Sequence, residues 1–491
     1  KLSLWEIMLL TDDLLLNYKR CKRRAFLDIY GDLSQQDQEQ DFLKKLRRDS
    51  HTHQQAVLAK KVHHSPDYPR GDWQAGAKAT LELMQQGKER ISQAVLLMPS
   101  QGVTLLSRPD LLIKQPGQSV FGDWLYVPTN IKLGRRPKPE YQIVVAFGAQ
   151  LLAAAQGIFP TSAWLILRRQ DSYAVNLERW LPLMQDIVSE CLETLLLPQE
   201  PEVFISRQRC GLCRWYSSCY AIAKANQHLS LLPGVTPARY RDLQTLGVTT
   251  VKSLATASIS TLETVVISEI ATSLIQQAQS TDQNRAILRQ DCSKALLKKT
   301  NILSTASVEL YFDIEAEPEL QLDYLLGVLV INRLTNTETF YAFLAESPQE
   351  EASIWQQFLD LVALYPDAPI FHYSDYEVET VKRLFKLYKT STPQKVKQLL
   401  SRFVDVHQQV MDTVTLPVES YSLKHLARWL GFEWRDSGVT GQECVCLYDQ
   451  WLETTDRSLL SLILRYNEDD CRATHHLKNW LVNFLQNPVQ S

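Results

Sequence analysis

Apolar positions along this chain repeat with two different periods, and the change from one to the other divides it. Residues 9–31 carry apolar side chains every third or fourth place, the spacing of one helical face. After a Gln/Asp-rich loop, 40–63 predict a second helix, rich in Lys, Arg, Gln and His. Short apolar runs at 103–106, 111–114 and 124–133 predict strands, and the Ala-rich segment 141–156 a helix. Further strands at 163–167 and 173–175 and a helix over 177–196 complete a helix-flanked mixed sheet. A Cys-rich segment at 210–219 closes that region, and 229–300 reads as helical, opening on Leu231-Leu232-Pro233-Gly234-Val235. From Ser307 the pattern changes to long strand signals at 308–314, 325–332 and 339–344, then alternating helices with one more strand at 368–373. Strands first, with helices threaded after them, predict an α/β sheet.

Length sharpens this division. A chain of 491 residues exceeds what one core supports, so domains are expected at 8–225, 226–302 and 303–491. With 45% hydrophobic and 22% charged residues the composition is that of a folded globular protein. A net charge of -3 gives no global attraction to nucleic acid, so any such binding must use local basic patches. No apolar run approaches the roughly 18 residues that span a bilayer, so no membrane partner is expected. The N-terminus lacks the basic and apolar regions of an export signal, which predicts a reducing, cytoplasmic compartment. The nine cysteines are accordingly not read as disulfides.

The densest chemistry lies in the last third. Leu310-Tyr311-Phe312-Asp313-Ile314-Glu315 places two carboxylates two residues apart at the end of an apolar strand, hence on one face. Two such groups repel unless a cation lies between them, and Mg²⁺ takes oxygen ligands while leaving positions for phosphate and water. His372-Tyr373-Ser374-Asp375-Tyr376-Glu377 puts a third acid, Glu377, at a strand-to-helix junction. Tyr466 and Asp470, four apart on a helix, share one face. Each motif alone is commonplace; their order is less so. Together they resemble the DEDD superfamily of 3′→5′ exonucleases, tyrosine subtype, over about residues 303–485. The resemblance implies an RNase H-like fold and two Mg²⁺ or Mn²⁺ ions ligated by Asp313, Glu315, Glu377 and Asp470, with Tyr466 positioning the attacking water. Glu377 departs from the family, which more often has Asp there.

Cys210, Cys213 and Cys219, with Cys21 in the basic segment 19–24, could enclose one metal centre. A structural zinc satisfies such a set, and so does an iron-sulfur cluster. The arrangement resembles RecB-family nucleases, which implies a [4Fe-4S] cluster tying the first helix to the end of its domain. Cys191, Cys292, Cys444, Cys446 and Cys471 are read as packing residues.

The stretch Arg108-Pro109-Asp110-Leu111-Leu112, then 126–132, then Tyr141-Gln142, resembles the PD-(D/E)xK fold of RecB-type nucleases and restriction enzymes, over about residues 9–222. The resemblance implies metal binding by Asp110 and transition-state stabilisation by Lys132. The second acid is replaced by Asn130, whose uncharged amide should weaken metal binding. His53 matches the helical histidine of that family and Gln142 its late glutamine. Arg135, Arg136 and Lys138, with Lys132, form a phosphate-contacting surface or a solvated face. Residues 232–255 resemble helix-hairpin-helix modules, with Thr236 where a second glycine is usual. The whole chain resembles the RecB-like nucleases of bacteria: a restriction-endonuclease-like domain, a helical connector and an RNase H-like exonuclease domain acting on DNA or RNA. The alternatives are a scaffold that binds nucleic acid and recruits a helicase, and cleavage by the first domain. The chain lacks a Walker A motif, so translocation would need that helicase.

Overall fold

The apolar stretch at 9–31 does not form a single helix. In the computed structural model, which describes residues 8–100, 102–197, 199–289, 303 and 305–486, it becomes a short strand and two helices, Asp12–Arg20 and Lys22–Tyr30. They part at Cys21, which is extended (φ -162°, ψ 114°) and caps the second helix, its Sγ accepting from Arg24 N at 3.4 Å. Apolar periodicity runs through that break, so the pattern alone predicts continuity. Cys292 lies outside the described residues.

Contacts divide the chain into two units, 1–203 with 207–220, and 204–206 with 221–491. In the first, strands β1 (Leu9–Thr11), β2 (Arg90–Ser92), β3 (Leu96–Ser100), β4 (Val103–Ser107), β5 (Leu111–Ser119), β6 (Gly122–Ile131), β7 (Trp164–Ile166) and β8 (Ser172–Ala174) make two sheets, ordered β1-β4-β3 and β2-β5-β6-β7-β8. The larger is mixed, since β6 and β7 run parallel while its other pairs are antiparallel. Helix Pro139–Gln156 is apolar almost all round, as a fully buried helix should be, with Ile143, Val145, Phe147 and Leu151 in the core. Its Pro at the first turn and Gly157 at φ 74° mark its ends.

In the second unit, helices Pro237–Thr245, Val251–Ala255, Ile259–Leu262 and Ser268–Gln283 enclose a small core around Leu243, Leu254 and Leu274. Thr236 caps the first of these, accepting from Arg239 N at 3.3 Å. This helical region, read from sequence as a connector, is tied to residues 414–416 of the C-terminal region. Gln277 Nε2 donates to Leu416 O at 2.8 Å, and β9 (Ile287–Leu288) pairs with residues 414–415.

The main sheet of this unit comprises β10 (Val308–Glu317), β11 (Leu322–Asn332), β12 (Thr337–Leu344), β13 (Ile370–His372) and β14 (Phe403–Asp405), in the order β12-β11-β10-β13-β14. β12, β11 and β10 are antiparallel; β13 and β14 run parallel to β10. Alternate residues of β10 enter opposite cores, Leu310, Phe312 and Ile314 in one and Tyr311 in the other. A strand buried on both faces reads as the near-continuous apolar run seen in the sequence. Burial of side chains this size contributes about 1.5–3 kcal/mol each, which offsets the cost of the acids carried on the same strand. The 30-residue helix Arg457–Gln486 lies against β10, pinned by a fully buried ion pair, Lys478 Nζ to Glu309 Oε1 at 2.7 Å. That pin fixes where Asp470, two turns earlier, meets the sheet.

Candidate active site

Asp313 and Glu315, two apart on β10, share one face, and helix Arg457–Gln486 brings Asp470 onto it. One ligand oxygen from each lies within 4.8 Å of the others, the one such trio of His, Cys, Asp or Glu among the described residues. Burial is the main reason that the carboxyls of Asp313 and Glu315 are held well above the usual range, with Asp470 adding to the rise in both. Asp470 itself is pushed up to about 7, chiefly by burial, against the opposing pull of Trp434, Lys424 and Tyr466. Acids that resist ionisation together form a strong demand for a cation.

Of the three consecutive acids Glu468, Asp469 and Asp470, only the last turns inward. Arg435 holds Asp469 Oδ1 at 2.8 Å and Glu468 Oε2 at 2.9 Å on the far side. Glu377 opens helix Tyr376–Tyr388, is 4% exposed, and stands outside the trio. Its Oε2 has no hydrogen-bond partner, with His372 Nδ1 nearest at 3.5 Å, yet its charge is felt at both Asp313 and Glu315. Tyr466 is buried and bonded to Asp470, and burial beside the acids drives its phenol far up, so it stays neutral.

Four more residues build the site, unforeseen from sequence. Asn467 Nδ2 donates to Asp313 Oδ2 at 2.6 Å. Gly327 pairs with Asp313 across β11, and a Cβ there would lie 1.7 Å from Asn467 Oδ1, so glycine is what admits the asparagine. Trp434 Nε1 donates to Asp470 Oδ1 at 2.7 Å. Lys424 stands 4.7 Å from the Tyr466 ring centre and 5.5 Å from that of Trp434, a cation beside the acids. Lys424 lies in the helix Leu423–Trp429, and Asn467 inside the Tyr466–Asp470 motif.

In the first unit, Asp110, Asn130 and Lys132 line one cleft of about 340 Å³. Lys132 Nζ is 3.9 Å from Asp110 Oδ2. His53 does not line it: the neighbouring Gln54 reaches Asp110 Oδ1 at 2.6 Å, while His53 keeps a buried Nε2 with no hydrogen-bond partner. Adjacent helical residues point about 100° apart, so a one-place error in phase exchanges them. Gln142 turns to Pro137 O at 2.8 Å, and Tyr141 lines the cleft instead. Arg135, Arg136 and Lys138 are exposed.

Cys21 sits at the helix break, and Arg209 Nη1 donating to Arg20 O at 2.8 Å ties that break to the 207–210 helix. Burial raises the thiols of Cys213 and Cys219, and Cys21 contributes to both rises. The four sulfurs are nevertheless not gathered as the acids are, and form no group within 4.8 Å. A single zinc, with sulfurs at about 2.3 Å from the metal, requires closer convergence than this.

No helix among the described residues is long and apolar enough to cross a membrane. Nothing matches among curated proteins. Among solved structures, one described as the crystal structure of SSO0001 is 14% identical, with 43% of this chain and 86% of that chain covered and a TM-score of 0.24, too low to support any argument. Residues 310–482 match the RNase_H superfamily model. That segment contains β10 to β14 almost entirely, together with Asp313, Glu315, Glu377, Tyr466 and Asp470. Residues 310–482 are therefore RNase H-like, a likeness that suggests nuclease activity on nucleic acids.

Proposed function

We propose that the C-terminal domain hydrolyses phosphodiester bonds of DNA or RNA from a single-stranded 3′ end. The convergence of Asp313, Glu315 and Asp470 within 4.8 Å on an RNase H-like sheet carries this reading. Two Mg²⁺ or Mn²⁺ ions, held by that trio with Glu377, would stabilise charge on the phosphate and acidify the attacking water. Water adds to phosphorus, the bond to the 3′ oxygen of the preceding nucleotide breaks, and that oxygen takes up a proton. Asn467 and Trp434 fix the carboxylates of Asp313 and Asp470, and a neutral Tyr466 orients the water by hydrogen bonding. A helicase would be the partner supplying translocation.

Digestion of 3′- and 5′-labelled single-stranded DNA and RNA with Mn²⁺ tests this. Wild type and Lys132→Ala should release nucleotides from the 3′ end, and Asp313→Ala should not. Cutting that survives Asp313→Ala but not Lys132→Ala would move the chemistry to the first unit; wild type that binds without cutting would make the protein a scaffold.

For the cysteines we propose a [4Fe-4S] cluster over zinc, because a four-iron core holds its thiolates farther apart than one ion does, and because half-buried thiols that raise one another favour a shared cation. Its role would be structural. Anaerobically prepared protein should be brown and lose that colour in Cys213→Ser; a colourless, zinc-containing preparation would contradict it.

A further inference from the structure

Glu377 reaches the site through a strained turn. Residues 373–375 join β13 to helix Tyr376–Tyr388, and Ser374 makes the passage at φ 87°. That is the left-handed region, where glycine is at ease and a residue with a side chain persists only if its surroundings impose it. Ser374 is gripped on both sides. His372 Nδ1 lies 2.7 Å from Ser374 O, and since a carbonyl only accepts, the imidazole donates from Nδ1. Ser374 N donates to Asp405 Oδ1 at 3.1 Å, and Asp405 pairs with His372 across β13 and β14.

The grip is itself rigid. His372 is 2% exposed, with its ring centre 5.5 Å from that of Phe403. Past the turn, Tyr376 Oη donates to Asp323 Oδ1 at 2.8 Å, which ties the start of the helix to β11. The turn delivers Glu377 into a buried place where its Oε2 has no hydrogen bond, because the nearby donor, His372 Nδ1 at 3.5 Å, is committed to Ser374 O. Backbone strain and an unpaired buried carboxylate both oppose folding, and such costs gather where a site uses them.

We infer that His372 is a positioning residue for Glu377: by donating to Ser374 O it holds the turn in the left-handed conformation that directs Glu377 towards Asp313 and Glu315. Asp405 secures the other side of the same residue, so the two act as one clamp on Ser374. In this role His372 touches neither substrate nor metal. The consequence for catalysis rests on the hydrolysis proposed above, whereas the clamp on the turn does not.

Substitutions at His372 and Ser374 in the full chain separate this role from simple packing. His372→Leu removes the donor and should lower kcat on labelled single strands with Mn²⁺ by roughly 10–100-fold, with little change in KM. His372→Asn sets an amide N–H near the place of Nδ1 and should recover most of that rate. Ser374→Gly added to His372→Leu should recover part of it, because glycine takes a positive φ without being held; a lost packing contact is not repaired that way. Ser374→Val leaves His372 intact and should lower kcat as His372→Leu does, because a β-branched residue resists a positive φ, which keeps the test decisive if His372→Leu impairs folding. Amide hydrogen exchange across 373–378 follows the turn whether or not the protein cuts, and should quicken in His372→Leu and Ser374→Val but stay slow in His372→Asn. Exchange and rates like those of wild type in His372→Leu or in Ser374→Val would overturn the inference, as would a His372→Leu defect that neither His372→Asn nor Ser374→Gly relieves. Wild type that does not cut, with exchange changing as described, would sink the proposed hydrolysis and uphold the clamp.

Discussion

Replacing Asp470 by asparagine is expected to make the metal-free protein more stable and its nuclease inactive. Burial raises the carboxyl from 3.8 to about 7 in the folded chain, so the native state holds a proton that the unfolded state releases. Stability from this group is therefore fully present below pH ~4 and is lost as pH rises towards 7. Each pKa unit corresponds to about 1.4 kcal/mol, so ionised Asp470 costs on the order of 4 kcal/mol as an upper bound. Asp313 and Glu315, raised by the same burial, add to the cost. Asparagine carries no charge and still offers Trp434 Nε1 an oxygen. Removing even 1–3 kcal/mol of strain should raise the melting temperature at pH 8 by roughly 2–10 °C, while loss of a ligand worth several kcal/mol should cut the rate about a thousandfold. Melting curves without metal should show wild type losing stability between pH 5 and 8, Mg²⁺ restoring it at pH 8, and Asp470→Asn losing less over the same range, since Asp313 and Glu315 remain buried. A variant less stable than wild type at pH 8 without metal would mean that the acids are already neutralised by protein groups such as Lys424.

Gly327→Ala should damage the same site through volume. Its new Cβ would stand 1.7 Å from Asn467 Oδ1 and 3.1 Å from Phe340 Cε2. Asn467 is fully buried and has no route to solvent. Overpacking costs about 1–3 kcal/mol, and loss of the hydrogen bond to Asp313 about 1.5–3 kcal/mol more. Displacing a reacting group by about 1 Å lowers rates on the order of a hundredfold. Urea unfolding and single-strand digestion measure both effects. Adding Asn467→Ala should return much of the stability, because the clash is gone, but not the activity, because Asp313 remains untethered. Wild-type stability and rate in Gly327→Ala would show that Asn467 does not position Asp313.

What the sequence made legible follows from how local each signal is. Strands β10 and β11 announce themselves as long apolar runs, and Asp313 and Glu315 share a face by strand periodicity alone. Tyr466 and Asp470 need only the four-residue spacing of a helix. Gly327 and Asn467 could not be read this way, since they meet 140 residues apart in a contact only the folded sheet creates. The break at Cys21 was hidden because Tyr18, Ala25 and Phe26 all stay buried across it. His53 and Gln54 show that helical phase is decided by packing. Asn467 and Trp434, the polar partners of the acids, carry no distinctive spacing.

Diffraction from crystals soaked in Mn²⁺, measured at the manganese absorption edge, addresses the metal centre directly. Anomalous peaks should appear between Asp313, Glu315 and Asp470, with Glu377 as a further ligand. If that place stays empty while Mn²⁺ occupies other acidic surfaces, these carboxylates do not serve as a metal centre and the proposed hydrolysis falls with them.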